Sequence, residues 1–189
     1  MQLYVALVHY PIYNKNHRLV ATAVTNVDVH DISRAAATYG VAGFFIVTPV
    51  EQQRLLVSEL LEHWRDGPGA AYNPRRSAAI AFARVVKDLD EAKAAIEADT
   101  GEAPVTLGTG AALSGDVMSH SECREMLAAR EGCALMVLGT GWGLEKGFLE
   151  RMDYRLAPIK GPGEYNHLSV RSAASILLDR LLGRELSDK

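Results

Sequence analysis

Apolar residues in this chain fall into short blocks, separated by stretches where they recur every three or four positions. Residues 3-LYVALVHY-10 are β-branched and aromatic, and predict a buried strand. Pro11, Asn14 and Asn16 then supply a turn, and Leu19 to Val24 reads as a second strand or an extended arm. Asp28 or Asp31 can cap a helix that runs through Tyr39, with Gly40 as its stop. Val41 to Val47 is a short, fully apolar strand. Glu51 to Arg65 places Leu55, Leu56, Leu60 and Leu61 on one side and charges opposite, the pattern of an amphipathic helix.

Residues 67 to 76, GPGAAYNPRR, read as a loop. Asn73-Pro74 is a cap followed by a first-turn proline, and predicts a helix to about Val85. Asp88 to Asp99 is a further helix ended by Gly101. Strand, helix and strand then recur at Pro104 to Leu107, Ser119 to Arg130 and Cys133 to Leu138. Residues 144 to 150 form a short helix, Tyr154 to Ile159 a last strand and Leu168 to Leu182 a last helix. Short apolar strands alternating with amphipathic helices predict an α/β fold, a mostly parallel sheet with helices on both faces. No stretch has the composition of a linker, so residues 1–189 are expected to be a single domain.

Composition changes this picture little. The chain has 189 residues, 48% of them hydrophobic, with a formal charge of -3, so no global charge draws it to nucleic acid. Any contact with RNA must come from a local patch. Cys123 and Cys133 are too few for a disulfide framework or a metal site, and read as free thiols of a reducing cytosol. MQLYVALVHYP is too short and too polar at its end for a signal peptide, and no apolar run reaches membrane-spanning length. A cytoplasmic protein with no membrane partner is expected.

The candidate chemistry lies at three successive strand ends. These are 107-LGTGAALSG-115, 138-LGTGWGLEKG-147 and 159-IKGPGEYNHLS-169. In open α/β sheets ligands bind outside the carboxyl ends of the strands. Glycines let backbone approach a ligand closely. One such loop is ordinary turn chemistry; three in succession point to a nucleotide-like pocket. There is no GxxxxGK[ST] phosphate loop, and no GxGxxG follows the first strand.

These residues carry a resemblance. VHYPIYNKN, TAVTNVDVHDISRAAATYGV, HWRDGPGAAYNP, LGTGWGL and YNHLSVRSAASILLDRLLG resemble the SPOUT superfamily, and within it a small bacterial group of S-adenosylmethionine-dependent RNA methyltransferases. The likeness covers nearly the whole chain. Asn26, Asp28 and Arg34 precede Tyr39-Gly40-Val41 as an Asn turn and Arg precede Gly-Val in the ribose-methylating branch. LGTGWGL matches that branch's glycines, one residue shorter and without its Glu. His167-Leu168-Ser169-Val170, with Ile176-Leu177-Leu178 in register, matches its third motif, with His167 for the usual Ser and Ser169 for the usual Asn.

The resemblance implies a C-terminal trefoil knot, a homodimer, the cofactor S-adenosyl-L-methionine and an RNA substrate (tRNA or rRNA). It places the adenosyl group against Leu138, Gly139, Ile159 and Leu168, with Gly143 and Gly161 allowing close approach. Thr109 walls the methionine half, and Thr140, Gly141, Asn166 and His167 complete the donor shell. Arg34, Asn26 and Ser169 are the implied catalytic residues. On the residues alone, Arg34 could equally pair with Asp28 or Asp31. His167 could serve the ligand shell or the helix entry, and His30 reads as structural. Lys15, Arg18, Arg75, Arg76 and Arg171, with Tyr10, Tyr13, Tyr72 and Trp64, are candidates for RNA contact. The methyl acceptor is a ribose oxygen or a base nitrogen. The alternative function is a non-catalytic module that binds RNA and the donor.

Overall fold

The computed structural model describes residues 1–184. In chain order the elements are β1 (Gln2–Val8), β2 (Ile12–Tyr13), β3 (Leu19–Val20), α1 (Asn26–Thr38), β4 (Gly43–Val47), α2 (Glu51–Arg65), α3 (Pro68–Tyr72), α4 (Pro74–Ile80), β5 (Ala83–Val86), α5 (Leu89–Thr100), β6 (Val105–Gly108), α6 (His120–Ala129), β7 (Cys133–Gly139), α7 (Lys146–Glu150), β8 (Tyr154–Arg155) and α8 (Val170–Leu182). Six strands make one sheet in the order β5-β4-β1-β7-β6-β8, every pairing parallel. β2 and β3 form a separate antiparallel hairpin.

Strand residues alternate between two cores, as the two-residue period of a pleated strand requires. In β1, Leu3, Val5 and Leu7 join one core while Tyr4, Ala6 and Val8 join the other. β7 divides the same way, with Ala134, Met136 and Leu138 against Cys133, Leu135 and Val137. The first core is roofed by α1, α2, α4, α6 and α8 through residues such as Ile32, Leu61, Ile80, Met126 and Leu178. The second is roofed by α5 and α7 through Ala92, Ile96, Phe148 and Leu149. Both faces are thus covered, which is why the central strands are apolar throughout.

Local signals set the helix ends. Asp88 caps α5 by accepting from the Glu91 amide, and Gly101 ends it in the left-handed region at φ 81°. Ser119 and Glu122 form a reciprocal capping box at α6. Helix α1 begins earlier than Asp28 or Asp31 would predict. Thr25 is its cap, accepting from the Asp28 amide, and Asp28 sits inside the first turn.

Other expectations are corrected near the edges of the sheet. Residues 67 to 76 are not all loop, since Pro68–Tyr72 is a short helix. The helix after Asn73 stops at Ile80, and residues 83-ARVV-86 form the edge strand β5. This strand is half exposed, so its burial pattern resembles that of the helix before it. Arg65 of α2 holds it by donating to the Ala83 carbonyl. The strand at Tyr154 ends at Arg155, and the chain beyond it runs as irregular backbone toward α8. No helix among the described residues is long and apolar enough to cross a membrane.

The short strand β8 is anchored by a clamp rather than by ladder length. One Asp153 carboxylate oxygen accepts from the Thr106 amide at 2.8 Å and the Thr106 hydroxyl at 2.6 Å, while the Asp153 amide donates back to that hydroxyl at 2.9 Å. Burial pushes the Asp153 carboxyl up, but these hydrogen bonds and the charge of Lys93 outweigh it and hold it below the usual value. A carboxyl depressed in the folded state adds stability above its unfolded value and loses it as the pH falls toward its folded value. Thr106→Val should therefore cost about 0.5–1.5 kcal/mol at pH 7, because Asp153 is exposed to solvent that screens its charge and the Thr106 amide bond remains. The difference from wild type should shrink as urea titrations are taken to acid below about pH 4.

Candidate functional site

Because β7, β6 and β8 are neighbours in the sheet, the turns that leave them are neighbours too. Residues 109 to 118 follow β6, residues 140 to 145 follow β7 and residues 156 to 169 follow β8. The last of these folds back onto the first, where the Asn166 side-chain amide donates to the Ala111 carbonyl at 3.2 Å. Thr109, Thr140, Gly141, Gly143, Ile159, Gly161, Asn166, His167 and Leu168 lie on these three turns, and Leu138 and Gly139 end β7.

Each turn is fixed differently. Thr109 is buried and its hydroxyl donates to the Val137 carbonyl at 2.9 Å, so its proton is already engaged. The turn after β7 backs onto the β2–β3 hairpin. The Tyr13 amide donates to the Gly143 carbonyl and the Trp142 amide to the Tyr13 carbonyl, at 2.9 and 3.1 Å. Gly141 has φ 54° and a Cβ there would stand 3.1 Å from Ile12, so both conformation and contact call for glycine. At Gly161 and Gly163 a Cβ would meet nothing within 4 Å, so this stretch of backbone is open to approach. Trp142, Tyr165 and Leu168 are exposed around it, at 66%, 81% and 47%. Glu145, the first carboxylate after LGTGWGL, caps α7; the amides of Gly147 and Phe148 hold it below its usual value.

Of the implied catalytic residues, Asn26 and Ser169 lie at the entries of α1 and α8, and Arg34 lies further along α1. Ser169 caps α8, accepting from the Ser172 amide at 3.3 Å. Asn26 opens α1 and is exposed. Arg171 staples the two helices, with Nη1 3.0 Å from Asp28 and Nε 3.5 Å from Asp31. Arg34 stands about 12 Å further along α1 than Asn26, from the helical rise. Its side chain is 64% exposed and meets Asp31 at 3.9 Å. The alternative pairing with Asp31 is therefore present, but weak. His167 is exposed and lies edge-on to Tyr165, with centroids 5.4 Å apart. His30 packs edge-on against Trp64 at 5.3 Å, a structural contact.

One polar group beside the site is not foreshadowed in the sequence reading. His9 ends the apolar run of β1 and is fully buried. Its Nδ1 lies 3.0 Å from the Thr22 hydroxyl, which lies 2.6 Å from the Thr140 hydroxyl. The chain His9–Thr22–Thr140 joins the end of β1 to the turn after β7. Nε2 of His9 has no partner among the described residues. Burial pushes the imidazole down to about 4, against the opposing pull of Asp28. The signal was the position of a histidine at the carboxyl end of a buried strand, where a strand reading alone absorbs it.

A parallel α/β sheet with glycine-bearing turns at adjacent strand ends is the architecture in which open α/β proteins place their ligands. The family model described as SAM-dependent RNA methyltransferase matches residues 2–183, and the chain belongs to this family. A tRNA (guanine-N(1)-)-methyltransferase of Oleidesulfovibrio alaskensis is 47% identical over 97% of this chain and 43% of its own length. An uncharacterized protein of Aquifex aeolicus is 36% identical over 98% of this chain and 91% of its own. The chain spans less than half the length of the first of these relatives. Among solved structures, a probable methylase family protein from Haemophilus influenzae Rd KW20 superposes with TM-score 0.62 at 21% identity, covering 95% of this chain and 64% of that one. The SpoU methyltransferase AviRb from Streptomyces viridochromogenes, in complex with the cofactor AdoMet, does so with TM-score 0.56 at 16% identity, covering 96% and 57%. These two share the fold.

The buried His9 makes a pH prediction. The unfolded chain binds a proton there below about pH 6.5. The folded chain refuses that proton until about pH 4. Stability should therefore fall as the pH drops through that window, by about 3 kcal/mol from this group. In urea titrations from pH 7 to pH 4, His9→Gln should be less stable than wild type at pH 7 and show a shallower decline.

Proposed function

We propose that this chain transfers a methyl group from S-adenosylmethionine to RNA. The observation that carries this reading is the convergence of three turns, with open backbone at Gly161 and Gly163, at adjacent parallel strand ends of a member of this family. The residues fit such a donor. Backbone groups of Leu138, Gly139, Ile159 and Leu168 would hold the adenosine edges, Gly143 and Gly161, where a Cβ would meet nothing within 4 Å, would leave room, and the exposed Trp142 and Leu168 would offer apolar cover. When bound, S-adenosylmethionine supplies a methyl group on a positively charged sulfur, which is electrophilic without further activation.

The task left to the chain is alignment and charge. Holding donor and acceptor in line replaces a bimolecular encounter, and pairing the acceptor with a cation stabilises charge as its proton leaves to solvent. Arg34 is the group for the second role. A guanidinium stays protonated, so it acts as a charge partner and not as a base. Asn26 and Ser169, at the entries of α1 and α8, orient the acceptor nucleotide. The acceptor atom is a ribose oxygen or a base nitrogen. The relative named for guanine N1 is more than twice as long as the matched region.

The site is completed by a second copy of the chain. Arg34 points outward two turns down α1, beyond its own cradle, so its place is in the partner's site. Val27 and Leu168 expose apolar surface near the entries of α1 and α8, at 52% and 47%, where such a partner would cover them. The knot belongs to the same reading. The chain passes from β7 across β6 to β8 before α8 returns between α6 and α1. The cytoplasm is the compartment, where RNA, donor and two free buried thiols coexist.

The test separates donor binding from chemistry. Calorimetric titration with S-adenosylmethionine and S-adenosylhomocysteine should show binding by wild type and by Arg34→Ala alike. Transfer of labelled methyl to tRNA or rRNA should fall about 10²–10³-fold in the variant, the usual cost of one lost charge-stabilising donor. Absence of heat with either ligand would sink the reading. Binding without transfer by wild type would leave a binding module only.

A further inference from the structure

The segment 63-HWRDGPGAAYNPRR-76 contributes nothing to the donor cradle, yet it is organised around a single indole. The His63 ring meets Trp64 edge-on at 5.2 Å and His30 of α1 does so at 5.3 Å. The Arg76 guanidinium lies over the indole, 4.7 Å from its centroid. Gly69 is buried, and a Cβ there would stand 2.8 Å from Trp64 Cε3 and 2.9 Å from His63 Cδ2. The turn closes over the ring because that residue has no side chain. Asn73 caps α4 by accepting from the Arg76 amide at 3.0 Å, with Pro74 in the first helical position. Both devices fix the corner between α3 and α4.

A rigid corner of this kind presents specific groups to solvent. Tyr72 is 86% exposed. Arg75 is exposed, and Arg76 is half exposed in its stacked position. Arg34 belongs to the same face: it follows His30 by one turn of α1, and the His30 ring meets the indole over which Arg76 stacks. The carboxylates Glu59, Glu62 and Asp66 gather instead around a separate hollow beside His63. The corner itself shows solvent an aromatic ring and guanidinium groups, the two chemistries that grip unpaired nucleotides.

We propose that the Tyr72–Arg75–Arg76 corner docks the RNA strand that flanks the modified nucleotide. Tyr72 stacks on an unpaired base, while Arg75 and Arg76 take phosphates on a path that leads to Arg34. The acidic hollow repels the backbone on the other side of His63 and so sets the direction of that path. This inference rests on RNA being the substrate, and adds where and by what chemistry it is held.

The experiment uses the full chain, labelled bulk tRNA, an unpaired oligonucleotide and a fully paired duplex of the same length. Tyr72→Ala should weaken binding of tRNA and of the unpaired strand about 5- to 100-fold, the range for one lost stacking contact, and leave duplex binding unchanged. Tyr72→Phe should bind as wild type. Arg75→Ala should lower the slope of log affinity against log salt by about 0.7–0.9, one phosphate's worth. S-adenosylmethionine affinity and the unfolding midpoint should not move in any of the three, since both side chains are exposed. Wild-type affinity and salt slope in both Tyr72→Ala and Arg75→Ala would overturn the docking surface and leave the methyltransferase reading standing. Equal losses in Tyr72→Phe and Tyr72→Ala would overturn the stacking contact. Wild-type protein that holds the donor but no RNA would sink the substrate reading, and the corner with it.

Discussion

Covering a parallel sheet on both faces leaves its polar backbone free to meet solvent mainly at the strand ends. In this chain the central strands β1, β4 and β7 have their side chains buried in one of two cores almost without exception. Polar chemistry is therefore confined to the rim, and His9 marks where the rim begins. Directly after the apolar run its neutral imidazole is buried, and its partner Thr22 carries the polar chain on to Thr140. The turn after β7 is thus held from β1 on one side and from the hairpin through Tyr13 on the other. A loop so held can present backbone groups in a fixed pattern, as recognition of a small ligand requires.

The second constraint joins the helices rather than the strands. Asp28 is nearly buried, and its carboxylate accepts from the Thr25 hydroxyl at 2.6 Å and from Arg171 at 3.0 Å. A buried ion pair contributes little net stability, because desolvation offsets the attraction, but removing one partner strands a charge. Its effect here is positional. It sets the start of α8 against the start of α1, and with it the stretch before α8 whose Asn166 donates to Ala111 in the turn after β6.

Much of this was legible in the residues, for stated reasons. Strands such as 3-LYVALV-8 and 133-CALMVL-138 are buried on both faces, so their composition is unambiguous. The glycine turns were legible because glycine is the residue whose position states a backbone need. Gly101 and Gly141 confirm that logic with positive φ, whereas Gly161 has none and is open for another reason. The edge strand β5 was lost because a four-residue, half-exposed strand joins an apolar helix without a break in hydropathy. The cap of α1 was misplaced by three residues or more because Thr25, Asp28 and Asp31 all offer oxygens at cap-like spacing. The His9 chain was not legible because it runs to Thr140, far away in sequence, and the Trp64 box, though mostly within residues 63 to 76, takes His30 from another helix; pairing across such separations leaves no local pattern.

Arg34 and Arg171 show how the fold divides roles between two similar side chains. Both were candidates for contact with RNA or its phosphates. Arg171 is claimed by Asp28 and Asp31, so a phosphate that recruited it would leave Asp28 buried and unpaired. Arg34 is mostly exposed, and its contact with Asp31 at 3.9 Å is of the kind that adds almost nothing to stability. Little is lost when a phosphate or a developing negative charge takes it over. Helix α1 therefore works as a beam. One flank is stapled to α8 through Arg171, the other packs His30 against the Trp64 box, and the Arg34 guanidinium stands one turn beyond His30, mostly exposed.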